Sequence, residues 1–178
     1  MSALLTDEQT MIQDMARRFA EEQLSPHSQH WDAESVFPVE TIRATAELGF
    51  AGIYIDEALG GSGLGRLDAA LIFEQLSYGD VSTAAFISIH NMASWMIARF
   101  GNDAQRNEWL ARLTSMELIA SYCLTEPGSG SDAAAMKTRA VRDGDDYVLT
   151  GSKQFISGAG TSDIYVVMAR TSDDGARG

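Results

Sequence analysis

Along the first two-thirds of the chain, apolar positions recur at helical spacing. Met11, Met15 and Phe19, together with Ile12, Ala16 and Ala20, repeat every four residues, while Arg17, Arg18, Glu21 and Glu22 fall off that stripe. This is the pattern of an amphipathic helix. Thr6 followed by Gln9 opens it as a capping box, and Pro26 predicts its end. A second helix is expected from Pro38 to Leu48, with Pro38 in its first turn and Gly49 as its stop. The glycine-rich segment Gly60–Gly65 reads as a flexible connector. Further helices are expected over 67–78, 82–100 and 103–113. The middle one is apolar on nearly every face, which predicts the buried centre of a bundle.

The pattern changes near Ser115. Residues 118–124 are short and apolar, and residues 139–142 and 147–150 flank Asp143-Gly144-Asp145-Asp146, a hairpin signal. Residues 154–157 and 164–169 are further strand candidates. The expected fold class is therefore α+β and multidomain: an all-α helical domain over 1–115, then an incomplete antiparallel β-barrel-like domain over 116–178. So few strands need further strands or a helical layer to cover their apolar face. The end, from Ser172 to Gly178, reads as a polar, turn-like tail.

Composition narrows the function classes. The 178 residues carry 13 basic and 25 acidic side chains, a net charge of −12 with no offsetting basic stripe, which argues against a nucleic-acid partner. Residues 1–115 hold 7 basic and 16 acidic groups, and both lysines, Lys137 and Lys153, fall in the strand part. The single cysteine, Cys123, cannot form an internal disulfide and reads as an inert buried thiol. The apolar stretch over 84–100 is interrupted by Ser88, His90, Asn91, Ser94 and Arg99, so no membrane span is expected. Residues 1–5 show no targeting pattern, so the expected location is the bacterial cytoplasm, or the mitochondrial matrix for a eukaryotic chain.

The stretch richest in chemistry is Tyr122-Cys123-Leu124-Thr125-Glu126-Pro127-Gly128-Ser129-Gly130-Ser131-Asp132. A strand ends, proline breaks it, and two glycines follow. Such a loop exposes backbone N–H groups to an anion or carbonyl oxygen and lets a planar ligand approach the main chain. An ordinary strand-exit loop is the competing reading. Gly128-x-Gly130-x-x-Ala133 also fits a dinucleotide fingerprint, but that requires a long helix after it and a parallel strand. Glu126 is either a general base or, beside Pro127, the residue that fixes the turn. His90 reads as a hydrogen-bonded core histidine in preference to a pocket residue. His27 and His30 have no third ligand at metal spacing, and no metal site is expected.

The segment Cys123–Asp132 resembles the flavin-loop motif of the acyl-CoA dehydrogenase family. Thr6-Asp7-Glu8-Gln9, Leu48-Gly49-Phe50-Ala51-Gly52, the Gly60–Gly65 loop and Gly151-Ser152-Lys153-Gln154-Phe155-Ile156-Ser157 are also similar to that family, in this order and spacing. The runs from Ile87 to Met92 and from Ser157 to Gly160 are most similar to its isobutyryl-CoA branch.

The resemblance implies an N-terminal helical domain, a middle β domain and a C-terminal four-helix domain, with FAD as cofactor. It implies FAD contacts from Tyr122, Cys123, Leu124, Thr125, Gly130, Ser131, Phe155, Ile156 and Ser157. Of these, Phe155 matches the aromatic against the flavin ring, Ser157 the hydroxyl at the flavin edge, and Ser131 also a contact to the acyl-CoA thioester arm. His90, Met92 and Phe155 are candidates to shape the acyl cavity. The implied partners are an acyl-CoA substrate, an electron-transfer flavoprotein as acceptor, and further copies of the chain in a homotetramer. The family's catalytic carboxylate and its C-terminal helical domain have no counterpart in residues 1–178, so the catalytic Glu is expected beyond residue 178 and the chain alone is expected to be inactive. Two other readings stay open: an acyl-CoA oxidase or flavin monooxygenase relative, and a non-catalytic helical interaction module.

Overall fold

The computed structural model describes residues 5–175 and residue 178. The sequence readings at residues 1–4 and at Ala176 and Arg177 lie outside the described residues. The chain divides into two compact units, Met1–Ile119 and Ala120–Gly178.

The first unit is helical. Helix α1 (Asp7–Phe19) begins at Thr6, whose hydroxyl accepts from the Gln9 amide while the Gln9 side chain accepts from the Thr6 amide, as the capping box predicts. The helical path does not stop before Pro26. A π-helical turn (Ala20–Leu24) follows α1 directly and feeds α2 (Ser25–Ala33), with Pro26 in the first turn of α2. Proline in a helix interior lacks an N–H and collides with the carbonyl four residues back. Widening one turn and restarting the helix accommodates it. The expected second helix is α3 (Val39–Ala44) finished by a 3-10 turn (Thr45–Leu48), and Gly49 ends it with φ +76°. Helices α4 (Arg66–Gly79), α5 (Val81–Phe100) and α6 (Asp103–Thr114) follow within one or two residues of expectation. Asp80 caps α5 through the Thr83 amide, and Asn102 and Gln105 form a capping box on α6.

α4 packs against α1, the π-turn, α2 and α5, and α5 also packs against α6. Their core joins Ala16, Ala20 and Leu24 to Ile42, Phe50, Ile72, Leu76, Phe86 and Ile87. The buried polar residues of α5 organise the segment after Gly49. Asn91 is 1% exposed; its amide donates to the carbonyls of Phe50 (2.7 Å) and Ile87 (2.9 Å), and its carbonyl accepts from the Ile53 amide (2.8 Å). The Gly60–Gly65 loop is not a flexible connector. Ser62, Gly63 and Leu64 donate to the carbonyls of Gly52, Ile55 and Ile53, and the Ser62 hydroxyl donates to Gly49. A Cβ on Gly61 would lie 2.0 Å from the Ile55 carbonyl oxygen, so only glycine allows this closure.

Among the described residues, the second unit carries two separate two-stranded sheets. Strand β1 (Ala120–Cys123) pairs in parallel with β4 (Ile164–Val167), Ala120 opposite Ile164 and Cys123 opposite Val167. Strands β2 (Arg139–Asp143) and β3 (Asp146–Thr150) form the predicted hairpin, with Arg139 opposite Thr150. The antiparallel expectation therefore holds for β2–β3 and fails for β1–β4. Two strands in one direction need a long crossover, and residues 124–163 supply it. Barrel closure is not seen among the described residues. Residues 154–157 are not a strand: they run as an extended and turning segment in which Phe155 has φ +58°, which breaks a pleated ladder. No long helix follows Gly130, only a 3-10 turn (Ala133–Ala135), so the dinucleotide fingerprint lacks its helix. Among the described residues of this unit, the buried apolar side chains are Ala120 and Cys123. Val141, Tyr147, Val148 and Leu149 of the hairpin are all more than half exposed.

Among the described residues no helix is long and apolar enough to cross a membrane, and no three His, Cys, Asp or Glu side chains gather as metal ligands.

Two outcomes follow from the helical core. Asn91→Ala orphans the Phe50 carbonyl and the Ile53 amide in a dry core, and is expected to cost about 3 kcal/mol, read by denaturant unfolding with tryptophan fluorescence. His90 is fully buried; burial, against backbone hydrogen bonds to Leu113 and Ala51, drives its pKa from 6.5 to about 4. The unfolded chain therefore takes up a proton before the folded one does. Stability from this group is complete above about pH 6.5 and is lost as pH falls toward 4, a slope that His90→Gln should remove.

Candidate active-site segment

The nine residues matched to FAD contacts fall on two stretches of the second unit. Tyr122 and Cys123 end β1. Leu124 and Thr125 leave it half-buried, and Glu126 and Ser129 then close a tight turn by exchanging amide–carbonyl bonds of 2.9 and 3.1 Å. Gly130 and Ser131 lie exposed beyond that turn. A Cβ built on Gly128 or Gly130 would meet nothing within 4 Å, so the outer face of the loop is open to a ligand.

The second stretch, Phe155-Ile156-Ser157, is joined to the first. The Gln154 amide donates to the Thr125 carbonyl at 2.8 Å, and the Lys153 ammonium donates to the Leu124 carbonyl at 2.9 Å. At the far end, the Ser121 hydroxyl donates to the Ser157 carbonyl at 2.5 Å and shares a 2.6 Å hydrogen bond with the Ser162 hydroxyl. Tyr122–Thr125 and Phe155–Ser157 are thus brought side by side. No hydrogen bond among the described residues ties Gly130 or Ser131 to the 154–157 stretch. Phe155 is the most unusual of the set. The residue is 84% exposed, and its φ of +58° is a costly setting for a residue with a Cβ.

Electrostatics decide the part of Glu126. It is 7% exposed, with a carboxylate that accepts from the amides of Lys137 (2.6 Å) and Thr138 (2.9 Å) and from Lys153 Nζ (2.8 Å). Burial alone would raise its pKa, but the hydrogen bonds from Lys153, Thr138 and Lys137 prevail and hold it at about 2. A carboxylate so saturated and so weakly basic is a brace, not a general base. Burial pushes the Tyr122 phenol up. It pushes the Cys123 thiol up as well, against the pull of the Lys153 charge, which fits an inert thiol. His90 sits in the helical core, its Nε2 3.1 Å from the Leu113 carbonyl and 3.5 Å from the Ser94 hydroxyl. That is the core reading of this histidine, and it does not line an open cavity.

Sequence reasoning missed Lys153, Gln154 and Ser121. Lys153 did carry a signal: it is one of two lysines in the chain, set two residues before Phe155.

The description "Acyl-CoA dehydrogenase, N-terminal domain" matches residues 6–117, and "Acyl-CoA dehydrogenase, middle domain" matches residues 121–178. The chain belongs to the acyl-CoA dehydrogenase family. It is 56% identical over 167 residues to the mitochondrial isobutyryl-CoA dehydrogenase of Dictyostelium discoideum, covering 94% of this chain and 40% of the relative. It is 53% identical over 174 residues to the enzyme of the same name from Bos taurus, covering 98% of this chain and 42% of the relative. A glutaryl-CoA dehydrogenase from Mycobacterium smegmatis, solved in complex with FADH2, superposes with a TM-score of 0.90 at 32% identity, covering 95% of this chain and 44% of that one. The chain thus spans about two fifths of the length of the curated relatives it matches.

The brace has a measurable signature. The carboxyl carbon of Glu126 should keep its ionised NMR shift through pH 4.5 and titrate only near pH 2. Because the folded pKa is the lower one, the stability this group gives is complete above about pH 4.5 and is lost as pH falls toward 2. Titration near 4.5 in the folded protein would contradict the assignment.

Proposed function

We propose that residues 1–178 form the helical and middle-domain part of an FAD-dependent acyl-CoA dehydrogenase that desaturates a short branched acyl-CoA, isobutyryl-CoA, between its α and β carbons. The observation that carries the reading is the bond from the Gln154 amide to the Thr125 carbonyl, which sets an open, glycine-faced strand exit beside the exposed, strained Phe155. An exposed aromatic next to accessible main chain suits a flat heteroaromatic ring, so the residues present fit the cofactor. The isobutyryl-CoA assignment is supported by the two relatives of that name, at 56% and 53% identity.

FAD, when bound, supplies the acceptor for the β-hydrogen of the substrate as hydride. This chain's residues bind and orient. In the proposal, Phe155 lies against the ring, Tyr122–Thr125 line its edge, and Ser157 presents a hydroxyl to it. Gly130 and Ser131 approach the cofactor's phosphate side, with Ser131 also reaching the thioester arm. A thioester α-proton is too weakly acidic to leave unaided, so donors on the carbonyl and a carboxylate base are both needed. Glu126 is excluded as that base by its three donors. The proposal assigns the role to a Glu beyond residue 178. An electron-transfer flavoprotein as acceptor and a homotetramer belong to the same reading.

The test joins residues 1–178 to the remaining part of the Dictyostelium relative. The chimera is expected to purify yellow, and to reduce an artificial electron acceptor with isobutyryl-CoA at a kcat/KM about tenfold above that with glutaryl-CoA, roughly the discrimination one pocket contact gives. Residues 1–178 alone should show no acyl-CoA-dependent reduction. A colourless chimera would overturn the flavin assignment, and oxygen consumption in place of acceptor reduction would turn the reading to an oxidase.

A further inference from the structure

We propose that Lys153 is a positioning residue: by bridging the Leu124 carbonyl and the Glu126 carboxylate, it fixes the separation between the strand exit after β1 and the segment that carries Phe155. The inference rests on the flavin reading above and deepens it.

The Lys153 ammonium sits at the meeting point of three segments that are distant in sequence. It donates to Leu124 O at 2.9 Å and to Glu126 Oε1 at 2.8 Å, and its third contact is Met136 Sδ at 4.0 Å. Its side chain is 12% exposed. The same carboxylate holds the amides of Lys137 and Thr138, so one ion pair ties residues 124–126 and 136–138 to residue 153. The connection to the proposed cofactor site is direct. Consecutive carbonyls, Leu124 and Thr125, are held by consecutive residues, Lys153 and Gln154, in a two-rung ladder that ends where Phe155 begins.

Three arginines of this unit are committed elsewhere. Arg139 pairs with Asp173, Arg142 donates to the Gly144 carbonyl, and Arg170 donates to the carbonyls of Ala134, Met136 and Gly175. An ammonium is a point charge with three donors that can diverge toward separate acceptors, and a neutral side chain of the same length replaces neither rung nor charge. Removing it leaves the Gln154–Thr125 bond as the one remaining rung of this ladder beside a residue at φ +58°. The consequence falls on the setting of Phe155 and Thr125, apart from any loss of stability.

The experiment uses the flavin-containing chimera and compares Lys153→Met, Glu126→Gln and the double variant. Three quantities are read: the dissociation constant for FAD, the flavin absorption band, and the melting midpoint of the protein stripped of FAD. Lys153→Met strands a buried carboxylate, so its midpoint should drop. The double variant removes both charges and should recover most of that midpoint. Its affinity for FAD should stay about tenfold weaker than the parent's, the loss expected for one charge-assisted hydrogen bond, and its flavin band should be displaced. Glu126→Gln leaves Lys153 in reach of Leu124 and should keep the parent's band. A folded double variant with the parent's affinity and band would overturn the proposal and reduce the pair to a stabilising contact. If the double variant does not fold, the single variants decide: an unchanged band and FAD affinity in Lys153→Met is the overturning result, and a displaced band there with the parent's band in Glu126→Gln is the expected one. Failure of the functional reading is distinct, because the parent chimera itself then binds no FAD.

Discussion

A carboxylate enclosed by protein stays charged only where donors replace the water it has lost. Glu126 meets that condition through two adjacent backbone amides, Lys137 and Thr138, and one ammonium, Lys153, from a separate segment of the second unit. The requirement is strict, since any donor that moves away leaves a buried charge under-compensated. It therefore organises everything near it. The chain leaving β1 cannot relax, the turn closed by Ser129 keeps its shape, and the segment after Gly151 is drawn toward Leu124. Among the described residues of this unit the buried apolar side chains are few, so polar contacts carry a share of its organisation that side-chain packing carries in the helical unit.

The helical unit solves a related problem with a neutral side chain. Residues 50–53 enter the core as irregular backbone, with peptide groups that need partners away from water. Asn91 projects from α5 and gives this segment both a donor and an acceptor. In both units a single side chain stands in for the ladder of a sheet. In both, the segment so held is a connection that a reader of the sequence would dismiss as a loop.

That difference explains what was legible. Helix positions follow from local periodicity, and α4, α5 and α6 could be read from the spacing of their apolar residues. The hairpin followed from Gly144 between two β-prone runs. The bypass at Pro26 was hidden, because nothing local separates a helix that stops from one that widens by a residue and continues. The parallel pairing of β1 with β4 was hidden for another reason. It joins segments about 40 residues apart, and alternation within each strand does not encode direction. At the site, the residues with recognisable chemistry, Tyr122 to Ser131 and Phe155 to Ser157, stood out in the sequence. The residues that join them did not, because Gln154 acts through its main chain and Ser121 through a hydroxyl inside a strand. Gly60–Gly65 misled in the opposite direction: its composition suggests freedom, whereas Gly61 is there because the Ile55 carbonyl leaves no room for a Cβ.

The π-turn at Ala20–Leu24 gives the first unit an angular dependence that its length would not suggest. An α-helix advances about 100° per residue, so the wider turn acts as a phase adjustment between two segments of one rod. α1 presents Ala16 to the core on one side of it, and α2 carries His27 and Trp31, whose rings stack at 5.5 Å, on the other. Losing one residue from that turn would shorten the rod hardly at all, yet would swing the stacked pair by more than a quarter of a revolution around its axis. In this stretch the residue count works as a dial for azimuth, so an insertion or deletion there changes far more than the length of the rod.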